Sequence, residues 1–157
     1  MLRLVNVTKE GSELDIVRIL FREYGTELNE DLLFQSFEQE LEHPLKKYGP
    51  PYGVILLAYW SDEPAGCVAL TPMSEPGVCE MKRLYVRTDK RKYGIGTMLV
   101  DEILTAAIAR QYHTMRLDTL AKLQSAITMY KRIGFRNIAP YYDNPLPGAV
   151  YMEKQLI

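Results

Sequence analysis

The chain has 157 residues, enough for one well-buried core and too few for two. Nineteen basic residues against twenty acidic ones leave a net charge of −1, which argues against nucleic acid as a partner, because neutralising phosphates calls for a basic excess. No apolar run approaches the roughly 20 residues that span a bilayer, and MLRLVNVTKE lacks the apolar core and cleavage site of a signal peptide. No membrane contact is therefore expected, and a cytoplasmic location is. Two cysteines, Cys67 and Cys79, make no disulfide framework and are expected reduced and buried.

Residues 1–7 alternate and predict a first strand. Over 13–27, Leu14, Val17, Ile19, Leu20, Tyr24 and Leu28 recur at the spacings of an amphipathic helix. Ser12, with Asp15 three positions on, offers a weak capping box for it. A second helix is expected over 31–43, with Leu32, Leu33, Phe34, Phe37 and Leu41 apolar, stopping before Pro44; KKYGPPYG then reads as a loop. Residues 54–60, 65–71 and 78–86 predict three strands joined by short turns, an antiparallel meander. In the third, Cys79, Met81, Leu84 and Val86 break strict alternation, as a bulge would make them do. A helix follows from Gly94 to Arg110, with Ile95, Met98, Leu99, Ile103 and Ala107 on one face. Then come a strand at 115–120, a helix at 123–133 ended by Gly134, an extended piece from Phe135 and a last strand at 148–157. This order suits a mixed sheet covered by helices, and its exposed edges invite pairing, so a homodimer is a further expectation.

The most informative stretch is LYVRTDKRKYGIGTMLV, residues 84–100. A strand ends, a polar loop follows, and a helix opens at a Gly-x-Gly pair. A helix start carries N–H groups without intrahelical partners and partial positive charge, so it can hold a phosphate if no bulky side chain blocks the approach. Gly94 and Gly96 give that access, and Arg91 and Lys92 add charge at the mouth. The glycines do not follow a first strand, which disfavours a dinucleotide fold, and no Gly-Lys-Ser/Thr follows, which excludes a Walker loop.

The run CEMKRLYVRTDKRKYGIGTMLVDEI resembles motif A of the GNAT N-acetyltransferase superfamily, whose Gln/Arg-x-x-Gly-x-Gly/Ala signature is met by Arg91, Gly94 and Gly96. LQSAITMYKRIGF resembles its motif B through Ala126, Tyr130, Gly134 and Phe135. The resemblance implies an α/β (α+β) fold of the acyl-CoA N-acyltransferase type over residues 1–157, a mixed central sheet flanked by helices. It implies acetyl-CoA as co-substrate. Leu84, Tyr85 and Val86 would lie along the pantetheine arm, and amides of Lys92, Tyr93, Gly94, Ile95, Gly96 and Thr97 around the pyrophosphate. Ala126 would let the coenzyme approach, and the contact of the asparagine that many relatives have where this chain has Leu123 would pass to Gln124 or to water.

The implied activity is transfer of an acetyl group to a primary amine of a small molecule by direct attack on the thioester. A protein or peptide acceptor, or acyl-CoA binding without catalysis, is the alternative. No HxxxH, HExxH or cysteine cluster suggests a metal. Tyr130 would be the general acid, although a tyrosine at that spacing also suits a core. Glu80 either receives the amine's proton or pairs with Lys82 or Arg83 structurally. A backbone amide near Tyr85 or Val86 would stabilise the oxyanion. The acceptor is expected near Tyr24, Phe34 and Phe37 and the aromatic 139–148 segment with Tyr141, Tyr142 and Asp143, with Arg83 available for a carboxylate.

Overall fold

Runs of apolar residues without alternation belong to strands covered on both faces, and VILLAYW and EPAGCVALTP are such runs. The computed structural model, which describes residues 1–30, 32 and 36–157, places them as β2 (Val54–Trp60) and β3 (Glu63–Pro72), buried along nearly their whole length. β1 (Leu2–Asn6), β2, β3 and β4 (Val78–Val86) form an antiparallel meander. β5 (Thr114–Leu120) lies parallel to β4, and β7 (Ala149–Gln155) pairs antiparallel with β5 and with the short β6 (Arg136–Ile138). The sheet order is β1-β2-β3-β4-β5-β7-β6.

Each face of the sheet has its own core. α1 (Ser12–Leu28), α2 (Phe37–Glu42) and α3 (Pro44–Tyr48) cover one, where Leu14, Val17, Leu20 and Phe21 pack on Ile55 and Leu57. α4 (Ile95–Ala109) and α5 (Gln124–Ile133) cover the other, where Leu99, Ile103 and Tyr130 meet Val68, Leu70 and Met115. Removing each such side chain from water stabilises the fold by roughly 2 kcal/mol.

Several expectations are corrected. Ile19 and Met98 are about half exposed, turned off the buried stripes of their helices. Ser12 is the first helical residue rather than the cap; Gly11 precedes it, and Asp15 pairs with Arg18 instead. The helix expected over 31–43 is described only as α2, since residues 31 and 33–35, Leu33 and Phe34 among them, lie outside the described residues. Pro44 opens α3 rather than merely ending a helix, because a missing N–H costs nothing in a first turn. The polar loop after Val86 winds into a 3-10 turn at Thr88–Tyr93.

Candidate active site

The site begins where two strands separate. β4 pairs with β5 only over Val78–Glu80 against Thr114–Arg116, while β5 stays paired with β7 as far as Leu120. Beyond Glu80 the sheet therefore opens between β4 and β5. The irregularity expected in β4 lies here: Cys67 and Ala69 of β3, two positions apart, face Tyr85 and Lys82 of β4, three positions apart, and Arg83 takes a φ of 62°. An extra residue of this kind bends a strand away from its neighbour. The bend is braced by a buried ion pair in which the Arg83 guanidinium donates to both oxygens of Glu40 at 2.7 and 2.9 Å, and the Tyr48 hydroxyl donates to the same carboxylate.

The bulge also sets which amides face the gap. Arg87 N–H donates to Ala65 O on β3 at 2.8 Å, so strand alternation turns the polar groups of Val86 and Leu84 away from β3 and towards the opening. Of the two amides considered for the oxyanion, Val86 faces the gap and Tyr85 faces β3. The Val86 carbonyl accepts from Arg91 Nε at 2.8 Å.

At the end of β4 the 3-10 turn draws its own amides back onto earlier carbonyls, as Lys90 N–H does onto Arg87 O. The first bond of α4 is Met98 N–H to Gly94 O. Among the described residues no side chain caps the helix and no carbonyl closes on the amides of Ile95, Gly96 and Thr97. Gly94 stands at φ 73°, a left-handed position that favours glycine. A Cβ on Gly96 would reach Val86 and Met129 at ordinary contact distance, so Gly96 sits at the throat between β4 and α5.

These elements enclose a cleft of about 520 Å³. Leu84, Tyr85, Val86, Arg91, Gly94, Gly96, Thr97, Gln124 and Ala126 line it, with Tyr24 from α1 at its inner end. Lys92 and Tyr93 do not. Tyr93 stacks on Trp60 with ring centroids 4.5 Å apart, and Lys92 lies over the Tyr93 ring. The Ile95 side chain is wholly buried under the sheet, so only its amide faces the turn. Gln124 folds back to donate to Ala121 O.

The cleft continues through the opened sheet into a narrow inner pocket of about 90 Å³, sharing Tyr24, Leu28, Leu84, Leu123 and Ala126 with it. Tyr130 reaches this pocket from the α5 side. Its hydroxyl makes no hydrogen bond to the described residues yet is not sealed from the pocket. Burial first, then the nearness of Tyr24 and Asp118, raises its pKa above the ordinary phenol value, so it keeps its proton. Lys82 and Asp118 face each other across the gap, Nζ to Oδ1 at 3.6 Å.

Other sequence candidates stand apart. Glu80 lines neither cavity: Tyr141 donates to it at 2.7 Å, and Lys82 stands between it and the pocket, with Nζ 3.9 Å from Glu80 Oε1. Of the two roles considered for Glu80, the pairing with Lys82 is present, and Tyr141 is a further partner. Arg83 is nearly sealed and committed to Glu40, so a substrate carboxylate does not meet a free guanidinium there. Tyr142 donates to Asp118 without lining the inner pocket, and Asp143 is exposed on the same loop. Phe37 packs beside Arg83 and away from the inner pocket; Phe34 lies outside the described residues.

Glu27, Arg132, Asp118 and Asn144 are among the lining residues absent from the sequence expectations. Arg132 has a signal in the sequence, since Ser125, Met129 and Arg132 fall at the helical spacing of one face and all three line the cleft. Among the described residues Arg132 has no ion-pair partner. No group of three or more potential metal-ligating side chains occurs among the described residues.

A mixed sheet split between β4 and β5, with an open helix start beside the split, is the frame of an acyl-CoA N-acyltransferase. The model of the Acetyltransferase (GNAT) family matches residues 14–135, and the chain belongs to that family. An uncharacterised N-acetyltransferase of Schizosaccharomyces pombe is 43% identical over 97% of this chain and 94% of its own. An acetyltransferase structure from Streptococcus agalactiae superposes with a TM-score of 0.80 over 98% of both chains at 16% identity, a likeness of fold. A Bacillus subtilis acetyltransferase solved in complex with CoA does so with a TM-score of 0.67 over the whole of both chains at 20% identity.

Proposed function

We propose that this chain transfers the acetyl group of acetyl-CoA to a primary amine of a small molecule. The observation that carries the proposal is the continuous passage from the open amides of Ile95–Thr97, along the free edge of β4, to the Tyr130 hydroxyl. These residues suit the coenzyme. Anionic phosphates match a helix start with Arg91 and Arg132 beside it, and an extended amide-bearing arm matches an unpaired strand edge. The CoA held by the Bacillus subtilis relative agrees with this assignment. When bound, acetyl-CoA supplies an acetyl thioester activated for acyl transfer.

The chain's own groups supply the rest. The Val86 N–H, directed into the gap, is placed to donate to a developing oxyanion. The Tyr130 hydroxyl, kept protonated by burial, is the proton source for the departing sulfur. The bulge holds the gap open, and the leucines around the inner pocket limit water there.

A screen of amines with acetyl-CoA, following free thiol, tests the proposal. The expected result is amine-dependent release of CoA with the acetylated amine recovered. Coenzyme binding without release for any amine would refute it. The protein's own thiols do not confuse the readout: Cys67 and Cys79 are fully buried, and burial pushes the Cys79 pKa up to about 12.

A further inference from the structure

The inner pocket has a chemistry of its own. Six leucines, Leu28, Leu84, Leu117, Leu120, Leu123 and Leu146, form the apolar part of its wall, and Lys82, Thr119 and Asn144 belong to the polar part. Its volume is about 90 Å³, and it opens outward into the larger cleft, so a straight chain longer than the pocket can run from one into the other. On one wall is Asp118, whose side chain is 6% exposed.

The two oxygens of Asp118 are treated differently. Oδ2 is committed to the loop, accepting from the Tyr142 hydroxyl and from Asn144 Nδ2. Oδ1 takes no hydrogen bond from the described residues, and it is not sealed from the pocket. Lys82 approaches it only to 3.6 Å and is shared with Glu80 at 3.9 Å, both longer than a direct charge-assisted hydrogen bond. Lys47, Lys82 and Arg83 stand against Glu40, Glu80 and Asp118, so the charges balance, but no donor of the described residues comes within hydrogen-bond distance of Asp118 Oδ1. A buried carboxylate oxygen with an unused lone pair favours a cation that can donate to it.

Resting on the acyl-transfer proposal above, we infer that the acceptor is the terminal amine of an unbranched alkyl chain, its ammonium received by Asp118 Oδ1 and its methylenes lying along the leucines. Tyr142 and Asn144 hold the Asp118 carboxylate in orientation. The bound ammonium gives one proton to Asp118 Oδ1, from which it passes to solvent. The neutral amine then attacks the thioester carbonyl, the C–N bond forming as the C–S bond breaks. The thiolate takes the Tyr130 proton, and the second proton lost from nitrogen restores it.

The test is an acceptor series on the unaltered protein with saturating acetyl-CoA: ethylamine, propylamine and butylamine against tert-butylamine, cyclohexylamine and aniline, with glycine for a zwitterion. The expected kcat/KM rises by about fourfold per methylene along the straight series, and the branched and ring amines are poor. Asp118→Asn keeps an oxygen for Tyr142 but loses the charge. It should raise KM for butylamine by about 10- to 100-fold and leave the acetyl-CoA Kd unchanged. Turnover of cyclohexylamine or aniline equal to that of butylamine would overturn the inference while sparing acyl transfer. A preference for glycine would do the same and shift recognition to Lys82. An unchanged butylamine KM in Asp118→Asn would remove Asp118 from acceptor binding. Coenzyme bound and no amine acetylated would overturn the acyl-transfer proposal itself.

Discussion

Burial keeps the Tyr130 phenol protonated well above neutral pH, and its hydroxyl has no partner among the described residues to lose. Tyr130→Phe therefore removes one proton donor while leaving the ring's edge contact with Phe135 in place. Turnover should fall by about 100-fold, with the acetyl-CoA Kd and the melting temperature nearly unchanged. Steady-state kinetics, titration calorimetry and a thermal melt measure the three, and full activity in the variant would exclude Tyr130 as the acid. The two glycines of the turn separate in the same way. Valine at Gly94 meets open space but must adopt φ 73°, a conformation that costs a side chain about 1–2 kcal/mol, so Gly94→Val should lower stability. Valine at Gly96 has no such conformational cost and would fill the throat between Val86 and Met129. Gly96→Val should weaken acetyl-CoA binding by about tenfold or more with a smaller change in stability. Equal coenzyme affinity in Gly96→Val and the unaltered protein would contradict the assigned passage.

Between elements, the contact that matters most for the coenzyme joins α1 to the turn before α4. Arg91 donates to both oxygens of Glu27 while its Nε holds the Val86 carbonyl. A diphosphate at the helix start would compete with Glu27 for the same guanidinium. Both side chains are 44% exposed, so the pair is worth little and solvent screens it. Glu27→Gln should tighten acetyl-CoA by up to about fivefold at low salt, with the gain shrinking as salt is added. Looser binding in the variant would show that Glu27 supports Arg91 rather than competing for it. Glu27 also marks a limit of sequence reasoning. The strands at 54–60 and 78–86 were legible because apolar runs ended at turn residues, and the phosphate turn because glycines sat at a helix start. Glu27, Asp118 and Asn144 carried no local signal. Each enters the site because α1, β5 and the loop before β7 converge on the gap. Alternation in MRLDTL assigns Asp118 to a face but not to an opening, which depends on where β4 leaves β5. The broken alternation of β4 signals a bulge, but nothing local assigns the positive φ to Arg83 or its charge to Glu40. For Glu80 the sequence leaves two roles open, and its contacts with Tyr141 and Lys82 depend on strands and a loop that only the fold brings together.

Across the whole molecule, two cores on opposite faces of a partly divided sheet need ties near the division, and charged side chains provide them. Arg83 with Glu40 fastens the bulge to α2, and Arg87 with Glu23 fastens the end of β4 to α1, where the Tyr85 hydroxyl also donates to Glu23. The second tie has a readable dependence on pH. The hydrogen bond from Arg87 is the main cause holding the Glu23 pKa below its ordinary 4.5, with burial opposing it. A carboxylate whose folded pKa is depressed contributes stability that is fully present above the unfolded value. That stability disappears as pH falls through the folded one. The contribution is therefore constant at neutral pH and begins to fade as the solution approaches pH 4.5. Glu23→Gln keeps the side chain's shape and removes the titration. In urea unfolding the variant should be less stable than the unaltered protein at pH 7, and the difference should narrow below pH 4.5 until the two curves meet. Both partners are about one-third exposed, so added salt should reduce the gap at pH 7 as well. A stability difference that persisted undiminished into strong acid would show that Glu23 stabilises the fold by packing rather than by its charge.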